Sequence, residues 1–285
     1  MQISRRLQAV SGMVTSGFRL ADVGTDHGYI PIELVRSGRV PHAVAMDINR
    51  GPLLRAQENI RRYGLEGQIE TRLSDGLHAL APGEADSVVI AGMGGLLVVR
   101  ILQEGSAALE GVRELILQPQ SELRSVRLYL EEAGYEIADE DLVCEDGKFY
   151  PMMRAVRKSG SETGGRLEAN EWLIENEVRC GVAGGKSGAA KRATEEKGAG
   201  DSVRRGTPES EQAVLRELGL CYGPVLLGKK HCLLGQYLAR EETLIVRVLE
   251  SLAGKCTEAA NERRAELLGQ LELLRRAEEL LDGER

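Results

Sequence analysis

The stretch LADVGTDHGY, residues 20–29, decides the fold. An apolar run reaches an acid at Asp22, Gly24 and Gly28 follow at close spacing, and an apolar-periodic segment begins at Tyr29. This order predicts a buried strand, a tight turn and the beginning of a helix. Because Gly24 has no Cβ, the backbone can turn sharply and a ligand can approach it closely. The first strand, turn and helix of a doubly wound α/β domain hold a nucleotide-like cofactor in this way, although a purely structural turn remains an alternative.

Acids also stand at the ends of the next two predicted strands. Asp47 ends the second strand, 23 residues after Gly24, which is close to the ~20-residue spacing of a carboxylate that binds ribose hydroxyls. Asp75 and Gly76 follow the third strand. A carboxylate in such a loop is often only a helix cap. The acids at the successive strand ends are Asp22 or Asp26, Asp47 and Asp75. Together they predict a ligand rich in hydroxyl and amino donors, and the nucleoside half of S-adenosylmethionine fits this description.

A glycine-rich loop follows the fourth predicted strand, residues 85–90. The loop reads AGMGG at positions 91–95, and so many glycines are costly unless the backbone must approach another group closely. Two strands near residues 135–144 and 149–156 predict a final antiparallel hairpin. Seven strands with the last one inserted antiparallel predict a Rossmann-like class I methyltransferase sheet in an α/β fold, and exclude the layout of a nicotinamide dehydrogenase.

The composition divides the chain into three parts. Residues 1–158 form the predicted S-adenosylmethionine-binding methyltransferase domain. Residues 159–210 are a predicted flexible low-complexity insertion, rich in Gly, Ser, Ala, Lys and Glu, with one short predicted helix near 167–174. For residues 211–285 the apolar pattern predicts a C-terminal α-helical hairpin that resembles a coiled coil. Its second helix carries Leu and Ala at alternating four- and three-residue steps.

Charge and cysteine usage bound the function class. The net charge of −7 excludes a globally basic nucleic-acid binder but not a local basic patch. Five scattered cysteines without a CxxC pair indicate neither a disulfide framework nor a zinc site, and the four histidines lack metal-ligand spacing. We therefore expect a cytoplasmic protein with no metal and no membrane contact. The oligomeric state stays open, with a monomer among the alternatives.

The motifs together resemble the TrmK family, bacterial enzymes that methylate N1 of the adenine at position 22 of tRNA. The resemblance rests on DVGTDHGY at 22–29, AGMGG at 91–95 and LQPQ at 117–120, with GKFY at 147–150 and YGPVL at 222–226 in support. It covers about 1–157 and 215–285. The chain departs from the family in the insertion, in Gln120 where Asn is usual, and in Asp47 where Glu is frequent. The resemblance implies a Rossmann-like catalytic domain, S-adenosylmethionine as methyl donor, a helical tail, and tRNA as partner.

Adenine N1 carries an unprotonated lone pair at neutral pH, so methylation needs alignment and water exclusion more than a base, and the cationic product ring needs a nearby carboxylate or carbonyl dipoles. Asp26 is the candidate for that carboxylate, with a helix cap as its alternative. Tyr29 could stack on the target base or only pack on the helix, and His27 could contact the cofactor or hydrogen-bond to backbone. The candidate cofactor-binding residues are Asp22, Gly24, Asp26, His27, Asp47, Asp75, Gly76, Ala91, Gly92, Met93 and Gly94, and the candidate catalytic residues are Asp26 and Tyr29.

Two other functions remain open from the sequence. The acidic charge favours a methyltransferase of a small molecule or a protein, and the helical tail allows a non-catalytic adaptor on a cofactor fold. For a tRNA enzyme, we expect residues 215–285 to hold the tRNA body through paired cations. These pairs are Lys229-Lys230, Arg263-Arg264 and Arg275-Arg276. A hairpin that only packs or dimerises is the alternative.

Overall fold

The protein is described from a computed structural model that covers residues 3–158 and 208–283. Most of the predicted insertion at 159–210 lies outside the described residues. Its short predicted helix near 167–174 and Cys180 lie wholly outside them. Within the described ranges, no helix is both long and apolar enough to cross a membrane.

The sequence prediction of a seven-stranded sheet is confirmed. The strands are β1 (Leu20–Val23), β2 (Ala43–Asp47), β3 (Ile69–Leu73), β4 (Ser87–Met93), β5 (Glu114–Pro119), β6 (Tyr135–Glu145) and β7 (Lys148–Arg157). Their order across the sheet is β3-β2-β1-β4-β5-β7-β6, with β7 antiparallel to both neighbours and the first five strands parallel. The order reverses beside β1, where β1 pairs with β2 on one side and β4 on the other. Ligands of open α/β sheets bind outside the carboxyl ends of the strands at such a switch point.

Helices cover both faces of the parallel strands, and an apolar layer separates the sheet from the helices on each face. They are α1 (Arg5–Met13), α2 (Tyr29–Arg36), α3 (Arg50–Arg62), α4 (Gly95–Glu104) and α5 (Leu123–Glu132). One layer packs α4 and α5 on the sheet, and the other packs α1 and α2 on its opposite face. The buried strands read as continuous apolar runs because both of their faces are covered.

The final hairpin turns at Asp146 and Gly147, whose φ angles are 50° and 71°. Two consecutive residues with positive φ match the right-handed twist of paired strands, so this turn joins β6 and β7 tightly. The hairpin places Tyr150 on the inner strand β7, beside β5, rather than on the sheet edge.

The tail contains two helices that the sequence analysis did not predict. They are α6 (Pro208–Tyr222) and α7 (Pro224–Gly228), and they precede the predicted hairpin of α8 (Leu234–Ser251) and α9 (Glu258–Asp282). The hairpin is antiparallel, because Arg275 late in α9 reaches Glu242 midway along α8 at 3.4 Å, whereas Arg264 early in α9 donates to the carbonyl of Leu252 just after α8. The predicted apolar stripe of α9 is buried at Leu267, Leu271, Leu274 and Ala277.

A buried ion pair joins the tail to the sheet. Arg127 and Glu140 have side chains only 1% and 0% exposed, and Arg127 Nε donates to Glu140 Oε1 at 2.9 Å. Arg127 Nη1 also donates to the last carbonyls of α6, and Glu140 Oε2 accepts from the first N–H groups of α7. Gly223, between these two helices, has φ +96°, and a Cβ there would lie 2.6 Å from Glu140 Oε2. The pair therefore fixes where the tail begins on the sheet.

Candidate active site at the carboxyl ends of the strands

The turn after β1 joins three strands at their carboxyl ends. The N–H groups of Gly24 and Thr25 both donate to the carbonyl of Met46 in β2 at 2.8 Å. Gly24 has φ +75°, and Met93 Cε at the end of β4 fills the space that a side chain at position 24 would need. Glycine is therefore favoured here by its backbone conformation, and the Met93 side chain would have to move to admit a larger residue.

Asp22 is the buried acid of this edge. Asp22 is 5% exposed, and burial raises the pKa of its carboxyl from 3.8 to about 6. Thr25 lowers this pKa, and the charge of the nearby Asp47 raises it further. Among the described residues no cation pairs with Asp22, and a carboxylate kept out of water in this way gains most from a positively charged ligand group. Asp22 is therefore suited to bind an ammonium group.

Asp47 ends β2 beside the same turn and is also buried. Its Oδ1 accepts a hydrogen bond from the N–H of Asn49 at 2.7 Å, while its carbonyl accepts from the N–H of Ser74 at 2.9 Å. Its Oδ2 has no hydrogen bond among the described residues. One oxygen thus orients the carboxylate and the other is available to a hydroxyl donor.

Asp75 and Gly76 begin the loop after β3. The Asp75 residue is exposed, and Gly76 has φ +56° with Ile101 of α4 only 3.2 Å from where a Cβ would lie. Since Ser74 is hydrogen-bonded to Asp47, the loop lies at the same edge as the two buried acids. The structure therefore places Asp22 in β1, Asp47 at the end of β2 and the loop of Asp75 after β3 at the same edge of the sheet.

Asp26 does not cap α2, which excludes the alternative considered from the sequence. The N-cap of α2 is Gly28, with no side-chain hydrogen bond to the helix. The Asp26 side chain is 68% exposed and pairs with Arg55 Nη2 at 3.2 Å, and His27 Nε2 lies 3.4 Å away. Asp26 therefore stands at the mouth of the site and not inside it.

His27 and Tyr29 form a stacked pair next to the turn. Their ring centroids are 5.2 Å apart and their planes differ by 6°. The His27 backbone has φ +61°, and its carbonyl accepts a hydrogen bond from Asn59 Nδ2 at 2.9 Å. Within the described ranges the His27 ring contacts Tyr29 and Asp26, and no hydrogen bond joins it to backbone, so of the two alternatives considered from the sequence the cofactor contact remains.

The glycine run belongs partly to β4, which extends to Met93 and is longer than predicted. Gly92 has φ +82°, Gly94 is the N-cap of α4, and Ala91 pairs with Gln118 of β5. The N–H of Gln120 donates to the carbonyl of Met93 at 2.8 Å, which ties the loops after β4 and β5 together. The groups that approach these glycines closely, as predicted, are therefore neighbouring groups of the protein itself. Their contacts hold the loop in place beside Gly24.

Three residues at this edge were missed as site candidates: Arg6, Gln118 and Tyr150. Arg6 Nη1 donates to Oε1 of the buried Gln118 at 2.8 Å, and its Cζ lies 5.5 Å from the Tyr150 ring centroid. The same Nη1 is 3.3 Å from the position of a Cβ on Gly92. The sequence signals for this group were the LQPQ motif at 117–120, which contains Gln118, and the GKFY motif at 147–150, which contains Tyr150.

A cleft of about 940 Å³ opens next to this group, between the sheet and the tail. Its walls include the loop after β5, the start of β7 and the helices α6, α8 and α9. Tyr150 and Gln120 line it, so the cleft reaches the loops that follow β4 and β5. The edge of the sheet can therefore hold one ligand over the turn after β1, and the cleft can admit a second ligand from the side of the tail.

The paired cations of the tail are largely engaged by other groups. Arg263 pairs with Glu266, Arg276 with Glu272 and Lys229 with Asp139. Arg264 donates to the carbonyls of Leu252 and Lys255, so it closes the turn of the hairpin. The local positive field expected from these pairs is therefore reduced.

Comparisons with known proteins agree with this geometry. The family model described as "Methyltransferase domain" matches residues 3–153. The tRNA (adenine(22)-N(1))-methyltransferase of Bacillus subtilis is 39% identical over 155 residues, which are 54% of this chain and 65% of that protein, just under two thirds of its length.

Two solved structures resemble almost the whole chain. The crystal structure of the Bacillus subtilis tRNA methyltransferase TrmK aligns with a TM-score of 0.72 at 27% identity, over 97% of this chain and 98% of that one. A putative tRNA methyltransferase of Streptococcus pneumoniae, solved in complex with S-adenosyl-L-methionine, aligns with a TM-score of 0.69 at 27% identity, over 97% and 99% of the two chains.

Proposed function

The chain belongs to the methyltransferase-domain family and, within it, to the TrmK family, and from this premise we propose that it transfers a methyl group from S-adenosylmethionine to N1 of an adenine in tRNA, at position 22. The observation that carries the proposal is the convergence of Asp22, Asp47 and the turn at Gly24 beside the end of β4. That edge of the sheet is the place where a class I sheet binds its cofactor.

The residues present fit S-adenosylmethionine. Asp22 offers a buried carboxylate without a cationic partner in the described ranges, which suits the ammonium of the methionine part. Asp47 offers Oδ2 to a ribose hydroxyl, and Asp75 with Gly76 lies at the edge where the adenine amino group would need an acceptor. We also assign cofactor contacts to Gly24, Asp26, His27 and the loop at Ala91, Gly92, Met93 and Gly94.

When bound, S-adenosylmethionine supplies a sulfonium methyl group that a nitrogen lone pair can attack. The protein need not remove a proton from adenine N1, so its own work is to align the base, exclude water and stabilise the cation that forms. We assign the last role to Asp26, which pairs with Arg55 and is exposed at the mouth of the turn. Tyr29, stacked on His27, is the proposed contact to the base on this side.

Substrate recognition must extend beyond one base. Adenine N1 pairs in a duplex, so the target adenine has to leave its stack to reach the site. We propose that residues 1–158 carry out methyl transfer and that the helical tail, residues 211–285, contacts the tRNA body without taking part in the chemistry. A tRNA substrate would also place the protein in the cytoplasm.

Two binding measurements test the proposal against its alternatives. Calorimetric titration with S-adenosylmethionine should show one site, and no binding would favour an adaptor on a cofactor fold. Binding of unmodified bacterial tRNA should weaken steeply as salt increases, because phosphate contacts release counterions. Cofactor binding without tRNA binding would favour a small molecule or a protein as the methyl acceptor.

A further inference from the structure

The cleft between the catalytic sheet and the tail concentrates aromatic side chains. The whole chain has only two phenylalanines and seven tyrosines. Four of these nine line the cleft, namely Phe149, Tyr150, Tyr222 and Tyr237. In a protein whose core is almost entirely aliphatic, this clustering sets the cleft apart from the other surfaces.

The cleft is continuous with the methyl-transfer edge of the sheet. Arg6 lies between the two, with its Cζ 5.5 Å from the Tyr150 ring centroid and its Nη1 3.3 Å from where a Cβ on Gly92 would lie. Gln120 lines the cleft, and its N–H donates to the carbonyl of Met93. Tyr150 is therefore one side chain away from the loop after β4.

The acids that line the cleft are mostly matched by bases. Glu217 Oε1 and Oε2 accept from Arg124 at 2.6 and 3.0 Å, and Glu266 pairs with Arg263 at 2.6 Å. Burial raises the pKa of Glu241 and so favours its neutral form. Arg240 lies over the Phe149 ring at 5.8 Å. Rings backed by guanidinium groups form the type of surface on which unstacked RNA bases bind.

We propose that the target adenine enters from this cleft and stacks on Tyr150, whose ring is held in place by Arg6. The proposal rests on the proposed function, since it assumes a tRNA adenine as methyl acceptor. It deepens that function, because it adds a base-binding residue on the side of β7, opposite to the Tyr29 side. The hydrogen bond from Arg6 to Gln118 makes Arg6 a positioning residue for the ring.

The test compares three variants of the full chain in single-turnover methylation of tRNA. Tyr150→Leu removes the ring, Tyr150→Phe keeps it, and Tyr63→Leu is the matched control. Tyr63 also lies under an arginine, Arg36, at 5.9 Å, but at the end of α3 and away from the cleft. Tyr150→Leu should slow methylation or weaken tRNA binding ~5- to 150-fold, the range that ~1–3 kcal/mol of stacking implies. Tyr150→Phe should stay within about threefold of wild type, and all three variants should bind S-adenosylmethionine like wild type.

A cross-linking experiment on the wild-type protein does not depend on the folding of any variant. A tRNA that carries a photoreactive azidoadenosine at position 22 is irradiated in the complex, and the linked peptide is identified by mass spectrometry. The expected peptide contains Tyr150. A link only to the peptide of Tyr29, or a Tyr150→Leu variant as active as wild type, would overturn the proposal. If wild-type protein binds S-adenosylmethionine but leaves tRNA unmethylated, the proposed function itself fails, before any variant is compared.

Discussion

Replacing Asp22 by asparagine should make the cofactor-free protein more stable while it weakens cofactor binding. Burial raises the pKa of the Asp22 carboxyl from 3.8 to about 6 in the folded chain. Between these two pH values the folded state binds more protons than the unfolded state, so the free energy of unfolding falls as the pH increases. Above pH 6 the full cost is present, and the difference between the two pKa values corresponds to about 3 kcal/mol. An asparagine side chain at this position carries no charge and avoids that cost.

The assay is urea denaturation of the full chain without cofactor at pH 5 and pH 7.5. Asp22→Asn should gain up to ~3 kcal/mol at pH 7.5 and about half as much at pH 5. Its affinity for S-adenosylmethionine should fall by ~1.5–3 kcal/mol at pH 7.5, because a hydrogen bond to an ionised group is lost. A variant that is no more stable than wild type at pH 7.5, with the same pH dependence, would refute the assignment of Asp22 as a buried, unpaired carboxylate.

Three further variants test other parts of the site and the tail. Asp47→Ala should weaken S-adenosylmethionine binding by ~1–3 kcal/mol in calorimetry, since ribose hydroxyls lose a charged acceptor; unchanged affinity in a folded variant would remove Asp47 from the site. Asp26→Asn keeps an oxygen acceptor for the proposed cofactor contact and should leave cofactor affinity nearly intact, but the loss of the negative charge should slow single-turnover methylation; a variant with the wild-type rate would mean that the carboxylate does not act on the product cation. Gly223→Ala should destabilise the chain by at least ~1–3 kcal/mol through its positive φ and the contact with Glu140, whereas Gly228→Ala, with open space around it, should not; equal stability of the two would contradict the described docking of the tail.

The acids and glycines of the site could be predicted from sequence because each one lies at the end of a strand or in the loop that follows it. A buried apolar run that ends in Asp22 or Asp47 puts a carboxylate at the carboxyl edge of a parallel sheet, whatever the rest of the chain does. The stripe of α9 could be predicted for a similar reason, since its buried leucines keep a fixed helical spacing.

The group of Arg6, Gln118 and Tyr150 could not be predicted in this way. Its members come from α1, β5 and β7, and they meet only because β7 is inserted antiparallel between β5 and β6. The sequence predicts the inserted strand, but no local spacing shows which side chains of α1, β5 and β7 face one another, and an arginine in an amphipathic helix usually faces solvent.

The docking of the tail was missed for a related reason. Arg127 and Glu140 are charged residues that a sequence pattern assigns to the surface, yet both are buried. Their burial is acceptable because each one also satisfies the backbone groups at an end of α6 or α7. Such a network depends on four separated segments, so only the folded chain reveals it.

Mapping the methylated atom in tRNA tests the central claim most directly. Unmodified bacterial tRNA is incubated with the full chain and S-adenosylmethionine and is then copied by reverse transcriptase, which stops where a methyl group blocks the Watson–Crick edge of adenine. The account predicts a new stop at the adenine of position 22, and mass spectrometry of the digested RNA should show N1-methyladenosine. Cofactor binding without any such product, or a methyl group on another atom or another class of acceptor, would contradict it.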